Sequence, residues 1–353
     1  MGKPFGTGEG DRAASACWRW NVHGHAVEIR CHVPDVAAAA RRLWRGFLEP
    51  DLPPGVRPVR GEVRAYDGET IAREVSVNAE RVDDLTTLHG DAELWREPGA
   101  SGRLWLVDER WGVCELDLVR RAWRAWVMRG AGDAVLDLER AVVWPMSQLL
   151  RQRGAGAGEA GGIHVLPATS LCGDGWGVLL IAPPRVNLQP EIERLTDDGL
   201  APVGQRWTAL REEDGRVAML RVPGPSRRAE APLAPGMPAG EAWPDLVEAT
   251  GSPIRHACCD ATLIVRPGRR GMGEIQPLGG SAAAEALRMA WPSENLTPGR
   301  ARPTLAAKLA QRSAVYQIEM SRDPEEFAAM LDLIRPTAAS LSRGGSPRQI
   351  IAA

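Results

Sequence analysis

The residues of this chain with the donor chemistry for a site are few and scattered. Arg255-His256-Ala257-Cys258-Cys259-Asp260 offers nitrogen, sulfur and carboxylate ligands of the kind zinc takes. Adjacent cysteines rarely close on one ion, and no second pair stands at zinc-finger spacing, so no metal site is expected. His23, His25, Cys31 and His32 lie along a strand-like segment. The first three share one face and His32 takes the other, which reads as strand patterning rather than a chelate. Arg266, Arg269 and Arg270 have the charge to hold an anion but read as a solvated loop. Gly156, Gly158 and Gly161 spell G-x-G-x-x-G. That fingerprint needs a strand before it and a helix after it, so that a phosphate meets a helix N-terminus. Here a helix precedes and an apolar strand follows, so the run is a linker. No G-x-S-x-G elbow or H-E-x-x-H helix is present.

Composition narrows the classes further. The chain has 353 residues, 44% apolar and 25% charged, the profile of an ordinary globular protein and not of a disordered or fibrous one. Net charge is −2, without the basic excess of a protein that lives on phosphates, so no nucleic-acid partner is expected. Lys3 and Lys308 are the only lysines among 43 basic residues, so any lysine chemistry must use one of those two. No apolar run reaches the length of a membrane span, and Met1–Arg12 lacks the apolar core of a signal peptide. Six cysteines spread along such a chain read as reduced thiols. The expectation is a soluble, cytoplasmic protein with no membrane partner.

The elements that must position a site fall into two regions. Residues 1–16 read as a tail and 17–153 as an N-terminal α+β domain. There, residues 27–33 alternate like a half-buried strand, and Asp35 caps a helix over 36–47. Residues 61–66, 71–77, 93–97, 103–108 and 112–118 read as a strand meander. Nine of the 13 tryptophans lie between Trp18 and Trp144. They could form a stacking platform for bases or sugars; without a basic stripe, filling a half-open sheet is the expectation. A helix over 134–153, capped by Asp133, crosses Pro145, which should kink or divide it.

After the glycine linker, 154–162, the pattern changes. A strand over 163–171 leads through an Asp-Gly turn to a second strand over 176–181. The segment 182–189 follows, then a helix from about Pro190 to Gly199 with Leu188, Ile192 and Leu195 on its buried stripe, then a strand from Ala201. In a strand-loop-helix unit the loop is where a phosphate would bind. Residues 223–242 form a Pro/Gly/Ala insertion. A strand over 261–266 and helices over 281–291, 303–312 and 323–334 complete the chain to 336, with 337–353 a second tail.

The run Ile163-His164 … Gly175-Trp176-Gly177-Val178-Leu179-Leu180-Ile181 … Leu195-Thr196-Asp197-Asp198-Gly199-Leu200-Ala201-Pro202-Val203 resembles the core of the HPr kinase/phosphorylase superfamily. The resemblance covers about residues 160–210 and, more loosely, the helical C-terminus to about 335. It implies an α/β fold: a P-loop-type core with C-terminal helices, preceded by the Trp-rich α+β domain. It also implies an ATP site whose glycine-rich loop, with its lysine and hydroxyl, falls on Ala182-Pro183-Pro184-Arg185-Val186-Asn187-Leu188-Gln189. None of those motif residues is present. Pro183 and Pro184 remove backbone donors, Leu188 stands for the lysine, and Gln189 for the Mg²⁺-binding hydroxyl. The family's paired carboxylates fall on Gln205 and Arg206. His164 matches the family's strand histidine and is read as a remnant. The expectation is a catalytically eroded member, a pseudokinase with no cofactor, which binds or regulates a protein or peptide partner, as a single chain or as a homo-oligomer. The alternative is a divergent serine kinase that takes ATP and Mg²⁺ in a non-standard site.

Overall fold

The structure is a computed structural model, and it describes residues 16–43, 57–66, 79–82, 93–99, 102–108, 111–128, 139–150, 163–173, 175–183, 186, 188–205, 207–222, 256–267, 274–290, 305–320 and 324–342. The chain divides into two compact units, one drawn from Met1–Val82 and Asp91–Leu149, the other from Asp83–Gly90 and Leu150–Ala353.

In the first unit, β1 (Ala16–Val22) and β2 (His25–Cys31) form a hairpin. Its two-residue turn has positive φ at both His23 and Gly24, and the Gly24 N–H donates to Asn21 Oδ1 at 2.7 Å. Helix α1 (Pro34–Leu43) leads across to β3 (Val59–Tyr66), which runs parallel to β2. Strands β4 (Glu80–Arg81), β5 (Glu93–Arg96), β6 (Arg103–Asp108), β7 (Gly112–Asp117) and β8 (Ala122–Met128) then fold back as a meander. The last strand docks parallel to β3, giving the order β1-β2-β3-β8-β7-β6-β5-β4.

Most of the expected elements here are present, with shifted ends. Ala16, read as tail, opens β1, and β8 is an unanticipated strand whose Trp123, Ala125 and Val127 alternate inward around Arg124. The expected strand over 71–77 and the end of the helix read to 47 lie outside the described residues. Trp20, Trp111 and Trp123 are fully buried, and the Trp123 indole N–H donates to Ala141 O at 2.8 Å. Gly61 makes room for that ring, since a Cβ there would lie 2.1 Å from it. The helix expected to break at Pro145 does so: a π-helical turn, Glu139–Val143, gives way to α2 (Trp144–Leu150) with the proline in its first turn.

The second unit holds two sheets. β9 (His164–Pro167) and β10 (Thr169–Gly173) replace the single strand expected over 163–171: the chain leaves one sheet at Pro167 and enters the other at Thr169. β9 borders a four-stranded sheet with β13 (Trp207–Glu213), β14 (Arg216–Arg221) and β15 (His256–Cys258), in the order β15-β14-β13-β9. The six-stranded sheet has β11 (Trp176–Ile181), β12 (Ala201–Gly204), β16 (Ala261–Pro267), β17 (Glu274–Leu278) and β18 (Ala314–Met320) in the order β12-β10-β11-β16-β18-β17. Its centre, β11-β16-β18, is parallel.

Helices cover both faces of that centre. On one, Ala283 and Leu287 of α4 (Gly280–Ala290) and Leu305 and Leu309 of α5 (Leu305–Arg312) pack with Leu179, Ile181 and Val315. On the other, Ile192 and Leu195 of α3 (Gln189–Asp197) and Phe327, Leu331 and Ile334 of α6 (Pro324–Ser342) pack with Val178, Leu180, Leu263 and Ile318. Strands so covered are apolar throughout, as β11 is. The architecture is α/β. Helix α6 runs past Ile334 and through Pro336 to Ser342, so residues 337–342, read as tail, belong to the helix; the rest of that stretch lies outside the described residues. The insertion read over 223–242 lies outside the described residues. No helix among the described residues is long and apolar enough to cross a membrane.

At the N-terminal end of the parallel strands, Asp260 joins all three. Its Oδ2 accepts the Gly177 N–H at 3.0 Å, its own N–H donates to Gly177 O at 2.9 Å, and its carbonyl accepts the Ala314 N–H at 2.9 Å.

Candidate functional site

The carboxyl end of β11 is where an α/β sheet of this kind offers a ligand site. Ala182, Pro183, Val186 and Leu188 are described in the segment that follows; Pro184, Arg185 and Asn187 lie outside the described residues. The Val186 N–H donates back to Pro183 O at 2.9 Å, closing a turn. Leu188 is the N-cap of α3, yet it is buried beside Ile192 and Leu195 and supplies no side-chain acceptor to the helix start. Gln189 turns along the helix, its Nε2 donating to Glu193 Oε1 at 2.9 Å. Gly199, at φ +92°, ends the helix in the left-handed region, where glycine carries no Cβ penalty.

The first turn of α3 is closed to an incoming anion by its own residues. Pro190 has no N–H to give. The Ile192 N–H is used by Leu188 O at 2.9 Å. Glu191, 4% exposed, turns its carboxylate onto its own N–H, while its Oε2 has no hydrogen-bond partner. Burial pushes this carboxyl up from its ordinary range, against the lowering by that N–H. Sequence reasoning missed Glu191. The signal was an acidic residue in a first turn, a common local cap, and its burial has no signature in the sequence.

Gln205 follows β12, whose carboxyl end lies at the same edge of the sheet as that of β11, two strands or about 10 Å across. Its carbonyl accepts the Thr169 hydroxyl, and its Nε2 is buried without a partner. Arg206 lies outside the described residues. His164 is half-buried on β9, opposite Leu210, and belongs to the other sheet. The structure thus brings Ala182, Leu188, Gln189 and Gln205 to one sheet end and leaves His164 elsewhere.

The donors of the 255–260 segment go to different neighbours. His256 Nε2 pairs with Glu213 Oε2 at 2.7 Å, and Arg216 donates to Cys258 Sγ at 3.6 Å and meets Asp260 Oδ1 at 3.5 Å. Burial pushes the Cys259 thiol up to about 12, far from a thiolate ligand. Among the described residues no three His, Cys, Asp or Glu side chains are placed to hold a metal ion. His32 faces Glu62 at 3.4 Å, and Arg266 is exposed at the end of β16.

No family model matches the chain, and no curated protein sequence matches it. Among solved structures, the HPr(Ser) kinase/phosphatase from Coxiella burnetii is similar over 49% of this chain and 95% of its own, at 14% identity and a TM-score of 0.29. That is a weak likeness, and the site stands on its own geometry.

Proposed function

We propose that this chain is a binding or regulatory protein on a catalytically eroded, HPr-kinase-like scaffold, and that it recognises a protein or peptide instead of turning over a nucleotide. The observation that carries the reading is the closed start of α3: a buried leucine at the cap, a proline in the first turn, and a carboxylate on its own N–H. A β/γ-phosphate needs free backbone donors and a cation there, and it would meet Glu191 instead. The organisation into a 17–153 domain, a 154–162 linker and a 163–336 domain belongs to the same proposal, as does the absence of ATP and Mg²⁺ as cofactors. Calorimetric titration of the full chain with ATP and with GTP, each with Mg²⁺, tests it. No saturable binding is expected; saturable micromolar binding that needs Mg²⁺ overturns it.

A further inference from the structure

Directly paired residues of neighbouring strands share a face, so the register of the eight-stranded sheet gives the composition of each side. One side carries Trp20, Ile29, Val63 and Trp123 and is buried. On the other, Arg30 of β2, Glu62 of β3 and Arg124 of β8 stand in one row, with Glu28 and Arg60 in the next. Arg19 and Arg64 complete the patch, at 72% and 56% side-chain exposure. Arg19 reaches Glu28 at 3.7 Å and Arg64 reaches Glu62 at 2.8 Å. Arg30, Arg60 and Arg124 are exposed, and their guanidinium groups make no ion pair among the described residues. Across β1, β2, β3 and β8 two carboxylates therefore face five guanidinium groups; the row ends at Glu115 of β7, opposite Arg124, whose carboxylate faces Arg103 at 3.9 Å. On the same face Trp126 lies opposite Arg64 and, with Trp95 and Trp105, packs half-exposed over Val107 and Val113.

We propose that this face docks an acidic segment of a partner protein, with its carboxylates on Arg30, Arg60 and Arg124 and an apolar side chain on Trp126. The inference rests on the partner-binding reading above and gives that partner a chemistry. Unpaired, exposed guanidinium groups favour carboxylates, which they can bind through two parallel hydrogen bonds. A nucleic-acid strand fits less well. Glu28 and Glu62 stand within the patch and would oppose a continuous line of phosphates, and the tryptophan rings are partly used in covering Val107 and Val113. Carboxylates on separate side chains can be spaced to avoid both acids.

Fluorescence anisotropy of a labelled peptide of alternating glutamate and leucine, titrated with the full chain, tests the proposal. Saturable binding that weakens with added salt is expected. The triple variant R30Q/R60Q/R124Q should lose about tenfold in affinity with an unchanged melting temperature, whereas Arg312→Gln in the other unit should lose nothing. If the triple variant folds poorly, Arg124→Gln alone should still lose a measurable part. No binding by the native chain, binding indifferent to the arginine variants, or tighter binding of labelled oligo-dT than of the peptide each overturns it. ATP titration of the same preparation separates the two readings. Nucleotide binding with peptide binding intact removes the eroded-kinase reading and leaves the patch; the reverse result removes the patch alone.

Discussion

Replacing Leu188 with lysine would place a cation at the start of α3, and the structure says what it would cost. Leu188 is 6% exposed and packs with Ile192, Leu195 and the α6 side of the sheet. Removing a leucine side chain from such a position forfeits roughly 1.5–3 kcal/mol of burial. An ammonium at the positive end of a helix adds about 0.3–1 kcal/mol, and desolvating it adds more. Glu191, three residues on and with Oε2 unpartnered, returns part of this. The net loss should be roughly 2–5 kcal/mol. Urea unfolding followed by circular dichroism measures it, with Leu188→Ala as the control that loses packing without adding charge and Leu188→Met as the tolerated exchange, at less than about 1.5 kcal/mol. Calorimetry with ATP and Mg²⁺ should still show no binding, because Pro183 and Pro190 supply no N–H and neither Gln205 nor Arg206 brings a carboxylate for a metal ion. A gain of Mg²⁺-dependent ATP binding by Leu188→Lys would refute the eroded-site reasoning. A loss below about 1 kcal/mol would refute the packing assigned to Leu188.

Two further substitutions check the structure at separate points. The Glu191 carboxyl is raised in the folded protein by burial, so its contribution to stability is full at acid pH and is lost as pH rises through its folded value. Glu191→Gln should therefore match the native chain in acid and exceed it by on the order of 1 kcal/mol near neutrality, read as a widening gap in melting temperature; a gap that narrows instead contradicts the burial. Gly61→Ala drives a Cβ to 2.1 Å from the Trp123 ring and should cost about 2 kcal/mol or more in thermal unfolding, since the ring is fixed by its hydrogen bond to Ala141; a neutral result would mean the ring can move aside.

What the sequence made legible was local. Pro190 and Gly199 bracket α3, and Leu188, Ile192 and Leu195 are its buried stripe, because caps and periodicity act within a few residues. What it hid depends on partners far along the chain. β18 is flanked by helices, and only its pairing with β16 makes it part of the central sheet. The break at Ala168 falls inside an unbroken apolar run, which carries no mark of a change of sheet. The β13–β14 hairpin, turning at Asp214-Gly215, lies just beyond the stretch whose elements are read one by one from the sequence. Of the candidate site, the segment 182–189 stood out in the sequence because it joins a strand to a helix, whereas the burial of Glu191 left no mark there. The arginine face was invisible for a plainer reason: net charge averages over the chain, while Arg30, Arg60 and Arg124 become neighbours only through the order β2-β3-β8.

Asp260 holds the three parallel strands together at the end of the sheet opposite the segment after β11. Register is thus fixed at one end, while ligand chemistry in such folds belongs to the other. A chain built this way can vary in sequence at the carboxyl end without loosening the strands that carry it. Architecture and site chemistry are then set by separate residues, and either can change while the other stays.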